Sequence, residues 1–230
     1  MKFSPVTSSV AQPQVFFPTP DMYFAVHYEP RPDCKNWGNV LCERHSEGKA
    51  ICGYLSPIDA MLEAVFSSRP GKRFEVIPAQ KFDPSVFIND YQGRLALDVH
   101  LGWLARDGQL IARPSGKPVA CAVHHEILVP PEHVHHVAFT VEADTVAILE
   151  RLYRSAGLVS YKETFAIAHG WPRARRDRIV SNSIRKVSSL APAGTEYNQV
   201  ALFDPEFEQW HFVPAAQLES GEASPPGAAE

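Results

Sequence analysis

The chain reads as α+β, on three observations. A strand-helix-strand unit comes first, short strands punctuated by turns fill the middle, and a run of helices ends in two further strands. With 230 residues, 45% of them apolar and 21% charged, the chain is long enough for a packed core and has a globular composition.

Residues 1–20 and 218–230 are rich in Pro, Ser, Gly and Ala and are expected to be flexible ends. Between them, "DMYFAVHYEP" predicts a strand and "RPDCKNWGN" a polar loop. "AICGYL" predicts the next strand, and "SPIDAMLEAVFSS" a helix capped by Ser56, with Pro57 in its first position and Asp59 in its first turn. Ile58, Met61, Leu62 and Val65 recur at helical spacing, and "RFEVIPAQKF" returns as a strand. Residues 21–93 thus form a small N-terminal α/β domain. From 94 onward "LALDVHLGWLA", "QLIAR", "PVACAVHHEILV" and "VHHVAFT" are short strands. Asp107-Gly108 and Ser115-Gly116 mark the turns of an antiparallel platform.

Helices follow at about 144–155, 162–169 and 174–190, then the strands "YNQVALF" and "QWHFV". Three helices and a two-stranded wing are the plan of a winged helix-turn-helix, here spanning 94–217, in which the third helix enters the major groove. That helix is the basic one. From Trp171 to Leu190 six basic residues face one acid, a local charge of +5 in a chain of net charge −4, which leaves −9 elsewhere. Binding to nucleic acid therefore has to be local.

Along the helix, Val180, Ile184, Val187 and Ala191 form an inward stripe, while Arg175, Arg178, Asn182, Arg185 and Ser189 share another face. Arg can grip guanine and Asn can grip adenine across the major groove. Arg173, Arg176 and Lys186 are placed to hold phosphates, and Ser181 lies beside them. A merely solvated helix is the competing reading of the same charges.

The run "VAFTVEADTVAILERLYRSAGLVSYKETFAIAHGW" with "DRIVSNSIRKVSSL" resembles the OmpR/PhoB-type winged-helix effector domain of bacterial transcription regulators. Phe139-Thr140, Leu149, Leu152, Gly157 to Ser160, Trp171, Asp177-Arg178, Val180, Ile184 and Val187 stand at places similar to that family's pattern, over about Leu95 to Val213. Ser181 and Ser183 replace its Asp and His, and Ser188 and Ser189 its closing basic residues. The wing turn "FDPEFEQ" carries Asp204, Glu206 and Glu208, which would repel phosphates. The resemblance implies a transcription regulator that binds double-stranded DNA; one winged helix reads few base pairs, so a homodimer or repeated half-sites are expected, and the absence of a signal-like start and of an apolar span reads as cytoplasmic.

The N-terminal part lacks the grouped acids of a receiver domain, since Asp33, Asp59 and Asp83 are scattered. Control by aspartyl phosphorylation is not expected, and this part is left to dimerisation or to a protein or ligand partner. A non-enzymatic protein-binding module, such as an immunity, adaptor or secretion-accessory protein, is the alternative.

"HHEILVPPEHVHH" brings His124, His125, Glu126, His133, His135 and His136 close in sequence, and strand alternation would let His133, His135 and His125 share a face. Stacked surface histidines are the expected outcome, with no metal and no cofactor. The four cysteines, Cys34, Cys42, Cys52 and Cys121, form no CxxC pair and read as free thiols. "GKAICGYLSPIDAMLEAV" looks faintly like part of RES-type NAD-consuming enzymes, with Glu63 as the acid. Partner Arg and Ser residues are not evident, and no enzyme is expected. No apolar run is long enough for a membrane span, and the opening residues do not read as a secretory signal.

Overall fold

The computed structural model describes residues 22–29, 37–46, 48–135, 137, 139–187 and 189–219. Of the expected flexible ends, 1–20 and 220–230 lie outside these residues, as do Asp33, Cys34, His136 and Ser188, while Leu218 of the expected 218–230 end closes a 3-10 turn, Ala215–Leu218. Helices and sheets are both present, and the fold is α+β.

Two sheets organise the chain. In the smaller, β1 (Tyr23–Glu29) runs antiparallel between β2 (Trp37–Val40) and β5 (Glu75–Pro78). The larger sheet is built on β6 (Arg94–Arg106), which pairs antiparallel with β8 (Ala120–Leu128) and β7 (Gln109–Ile111). Its other neighbours are β4 (Gly48–Gly53), parallel, and β10 (Gln199–Asp204), antiparallel. Beyond them lie β3 (Cys42–His45) and β11 (Gln209–Pro214), and β9 (Leu190–Ala191) joins β7.

The boundary expected between 93 and 94 runs through this sheet, because β4 and β6 pair directly across it at Ile51–Leu97 and Gly53–Val99. The loop expected at 31–39 gives way to β2 from Trp37, and β3 forms at Cys42–His45, where no element was expected. Their polar side chains conceal strands that are paired along one edge. A short helix, α2 (Ser85–Asp90), follows β5, its start fixed by the Asp83 carboxylate accepting from the Ser85 N–H at 2.9 Å. "VHHVAFT" forms no strand among the described residues. A 3-10 turn at Pro131–His133 follows Pro130 and Pro131, which lack the N–H that a ladder needs.

The long α1 (Pro57–Ser67) begins as expected, the Ser56 hydroxyl accepting from the Asp59 N–H at 3.2 Å. The later helices are α3 (Ala143–Ser155), α4 (Tyr161–His169) and α5 (Arg173–Lys186). The β10–β11 hairpin follows α5 in the expected order.

A bulge between His100 and Gly102 decides what covers β6. Before it, Leu95, Leu97 and Val99 pack with Phe24, Val26, Ile88 and Phe139. After it, Leu101 turns to Leu149, Leu152 and Tyr153 of α3, whereas Trp103 and Ala105 turn to α1 and α5. The extra residue resets the strand's alternation, so one strand serves three clusters. Gly102 permits the approach of β10, because a Cβ there would stand 2.6 Å from the Ala201 carbonyl oxygen. Val200 and Leu202 of β10 then face α3, while Ala201 and Phe203 face α1 and α5. No helix among the described residues is long and apolar enough to cross a membrane.

Candidate nucleic-acid interface

α5 starts at Pro172, whose fixed φ suits a helix entry, just after buried Trp171. Its buried residues are Ile179, Val180 and Ser183, with Ile184 and Val187 half-buried, and it ends at Lys186 rather than at the expected 190: Ala191 of the expected stripe lies in β9, and Ser189 of the expected outer face accepts from Gln109 beyond the helix. They pack against Ile58 and Leu62 of α1, Trp103 of β6 and Phe203 of β10. Arg173, Arg175, Arg178, Ser181, Arg185 and Lys186 are exposed, and Arg176 and Asn182 are half-buried.

Two of the expected base-reading residues, Arg178 and Asn182, are held by the hairpin turn. The Glu208 carboxylate accepts from Asn182 Nδ2 at 2.7 Å and lies 3.4 Å from Arg178 Nη2. Lys186 Nζ donates to the Glu208 carbonyl, and Arg185 donates to Asn182 Oδ1. Glu208 has a φ of +54°, in the left-handed region that few non-glycine residues occupy. The acid expected to repel phosphates thus sits among the cations of α5. The Arg175 guanidinium lies over the Trp171 ring at 3.9 Å, which fixes a flexible cation by stacking.

At the start of α5 the surface opens into a groove of about 600 Å³. Arg173 and Arg176 line one side of it, and Arg69 and Arg73, from the turn between α1 and β5, line the other. Asp177 and Glu75 are the acids on its wall, and Asp177 lies 3.7 Å from Arg173. The Arg176 Nε–H is buried with no hydrogen-bond partner. Four arginines against two acids leave the groove positive, so it suits an anion. The sequence leaves Arg69 between helix and strand and puts Arg73 at the head of the strand "RFEVIPAQKF". The groove's signal was the pair of arginines beside a basic helix that is distant in sequence.

The histidine segment divides. His125 is buried, Nε2 lying 3.1 Å from the Thr145 hydroxyl and the ring edge-on to Phe139. His133 belongs to the 3-10 turn, and His135 Nδ1 lies 3.9 Å from Asp83. The structure does not bring His133, His135 and His125 together. His124 joins two residues that sequence spacing could not reveal. Its Nδ1 lies 2.8 Å from Asp98 Oδ1, and His45 Nε2 lies 2.8 Å from Asp98 Oδ2.

Glu63, the acid of the faint enzyme resemblance, is buried, accepting from Trp103 Nε1 at 3.2 Å and from the Ser67 hydroxyl at 3.1 Å. Burial pushes its carboxyl above the usual range, opposed by Lys117 at 3.7 Å. Burial likewise holds the thiols of Cys42 and Cys121 up at about 12, so both stay protonated at neutral pH. No family model matches this chain, and neither does any curated protein or solved structure. The OmpR/PhoB likeness rests on the residues quoted for it.

Proposed function

We propose that the chain binds double-stranded DNA through the basic face of α5 and the arginine groove at its start. The groove carries this reading. Four arginines from two separate segments line it. The N-terminal end of a 14-residue helix adds its own partial positive charge. Arg69, Arg73, Arg173 and Arg176 are assigned to phosphates, and Arg175, Arg178, Ser181, Asn182, Arg185 and Lys186 to the groove of the duplex. Glu208 must give up Arg178 and Asn182 before either meets a base. Binding is accordingly dominated by phosphate contacts, with modest preference among sequences. A winged-helix arrangement of α3, α4, α5 and the hairpin, and a transcription regulator acting as a homodimer, are the wider reading in which this interface makes sense.

The test is duplex binding by fluorescence anisotropy at two salt concentrations. The wild type is compared with Arg69→Ala/Arg73→Ala and with Arg175→Ala/Arg178→Ala/Arg185→Ala. Affinity should fall with salt by a log-log slope of about −0.9 for each phosphate contacted, and each variant should flatten that slope. Absence of binding at low salt by a folded protein overturns the reading.

One observation favours a protein partner in that event. Val159 and Phe207, 75% and 74% exposed, rim a pocket of about 170 Å³ lined by Tyr161, Phe165 and Phe203. Large apolar side chains over an aromatic pocket suit a peptide's apolar anchor.

A further inference from the structure

We propose that His45, Asp98 and His124 form a binding site for a divalent transition-metal ion of the zinc type, independent of the DNA-binding face. The three come from three strands. Asp98 is on β6, His124 is its cross-strand partner on β8, and His45 ends β3. The two imidazoles address different oxygens of one carboxylate, each at 2.8 Å, and their rings stand 4.5 Å apart. One ligand atom from each residue lies within 4.8 Å of the others.

Two imidazoles and a carboxylate are a donor set that suits zinc and its neighbours, with positions left for water or another ligand. At metal-ligand distances of about 2.0–2.1 Å, ligand atoms in a tetrahedral site stand about 3.3 Å apart. The two N–O separations of 2.8 Å have to open by about 0.5 Å. Side-chain rotation of the half-exposed histidines supplies both movements, since 38% of the His45 side chain and 41% of the His124 side chain are exposed.

Asp98 is the fixed point. Only 7% of its side chain is exposed, and among the described residues its ion-pair partners are the two imidazoles alone. With no Lys or Arg paired to it, the buried carboxylate depends on the two imidazoles, and a bound cation would supply a permanent compensating charge. Beside the cluster is a pocket of about 20 Å³, room for about one water molecule. Tyr91 closes it over Gly48, where a Cβ would come within 3.2 Å of the ring. Glu126 and Lys49 complete the wall, Glu126 being already engaged by Arg94. Lys49 and Arg94 put positive charge on the wall of the same pocket, which suits water or a small anion as the exogenous ligand.

The experiment is equilibrium dialysis of the untagged full chain, stripped with chelator, against zinc chloride, with cobalt chloride giving a visible spectrum of the site. The controls are His45→Gln, His124→Gln and, for the exposed histidines of the 131–135 turn, His133→Gln/His135→Gln. One zinc per chain is expected, weakened at least about 100-fold by His45→Gln or His124→Gln and unchanged in the turn variant. Circular dichroism establishes that each variant is folded. Asp98→Asn is an additional arm, and the two histidine variants decide the matter if it does not fold. Zinc binding that survives both single variants, or follows the turn histidines, or is absent from the wild type, overturns the assignment. Retained duplex binding in His45→Gln separates this site from the DNA-binding reading.

Discussion

The basic face of α5 and the His45–Asp98–His124 cluster gather functional groups in opposite ways. On α5 the cations are neighbours in sequence, and the fold spends its effort restraining them: Glu208 takes Arg178 and Asn182, Trp171 holds Arg175, and Asp177 meets Arg173. In the cluster the groups lie 53 and 26 residues from Asp98, and the fold does the gathering. A run of like charges makes a field, which needs little geometry. Coordination would need three atoms at set distances, which here the paired strands bring together. Both regions hang on β6, the first through Trp103 and the second through Asp98.

Trp103→Ala tests whether the two ends of β6 are separable, and it carries the largest expected effect. Trp103 is fully buried, donates to Glu63, and packs edge-on to Phe66 and Trp210. Truncation should cost about 3–5 kcal/mol in urea unfolding, part of it from leaving Glu63 without its donor. Since Ile179 and Val180 share the cluster with Trp103, duplex affinity should fall as α5 loses its seat. Zinc affinity should persist, because Asp98 lies before the bulge. Equal loss of both would make β6 one unit and break the comparison.

Two buried ionisable groups sharpen it by pH. Burial lifts Asp59, on the helix under α5, to about 8 from 3.8, and drops His100, two residues from Asp98, to about 3 from 6.5. With a raised folded pKa, Asp59 favours folding at low pH, and that contribution is lost as pH climbs from 3.8 to about 8. With a depressed folded pKa, His100 favours folding above 6.5, and that contribution is lost as pH falls toward 3. Each acts with a slope of at most about 1.4 kcal/mol per pH unit. They oppose one another between about 4 and 6.5, and Asp59 alone acts above that, losing about 2 kcal/mol by pH 8. The stability difference between wild type and Asp59→Asn should fall steadily from pH 5 to 8. A flat difference would mean that Asp59 is solvated in solution.

What the sequence made legible follows the same division. The helix at Pro57, the basic helix, the hairpin after it and the turns at Asp107-Gly108 and Ser115-Gly116 all carry local signals, in caps, periodicity and glycine. β2 and β3 do not, because "WGNV" and "CERH" have too little apolar alternation and owe their state to the strands beside them. The 93/94 boundary was read from a change of pattern, yet a parallel pairing such as β4–β6 leaves no mark near either strand. The basic face was legible for that reason and the grip of Glu208 was not. His45 and Asp98 drew no attention, since nothing near either residue pointed to the other.

Glu208→Gln makes the smallest change to the fold and the most pointed one to the interface. The carboxylate is 3.4 Å from Arg178, whose side chain is 62% exposed, so the ion pair itself contributes at most about 1 kcal/mol. The amide keeps an oxygen to accept from Asn182, and the backbone bond from Lys186 is untouched, so urea unfolding should change by less than about 1 kcal/mol. Its effect on DNA should be opposite in sign to that of every arginine variant. Removing one negative charge from among the cations frees Arg178 for phosphate, raises duplex affinity several-fold at low salt, and steepens the salt slope by up to about 0.9. The gain should shrink as salt rises, because the counterions it depends on are no longer released into a dilute solution. A Glu208→Gln protein that binds duplex as the parent does would place DNA away from the hairpin side of α5, leaving the arginine groove to carry the phosphates alone.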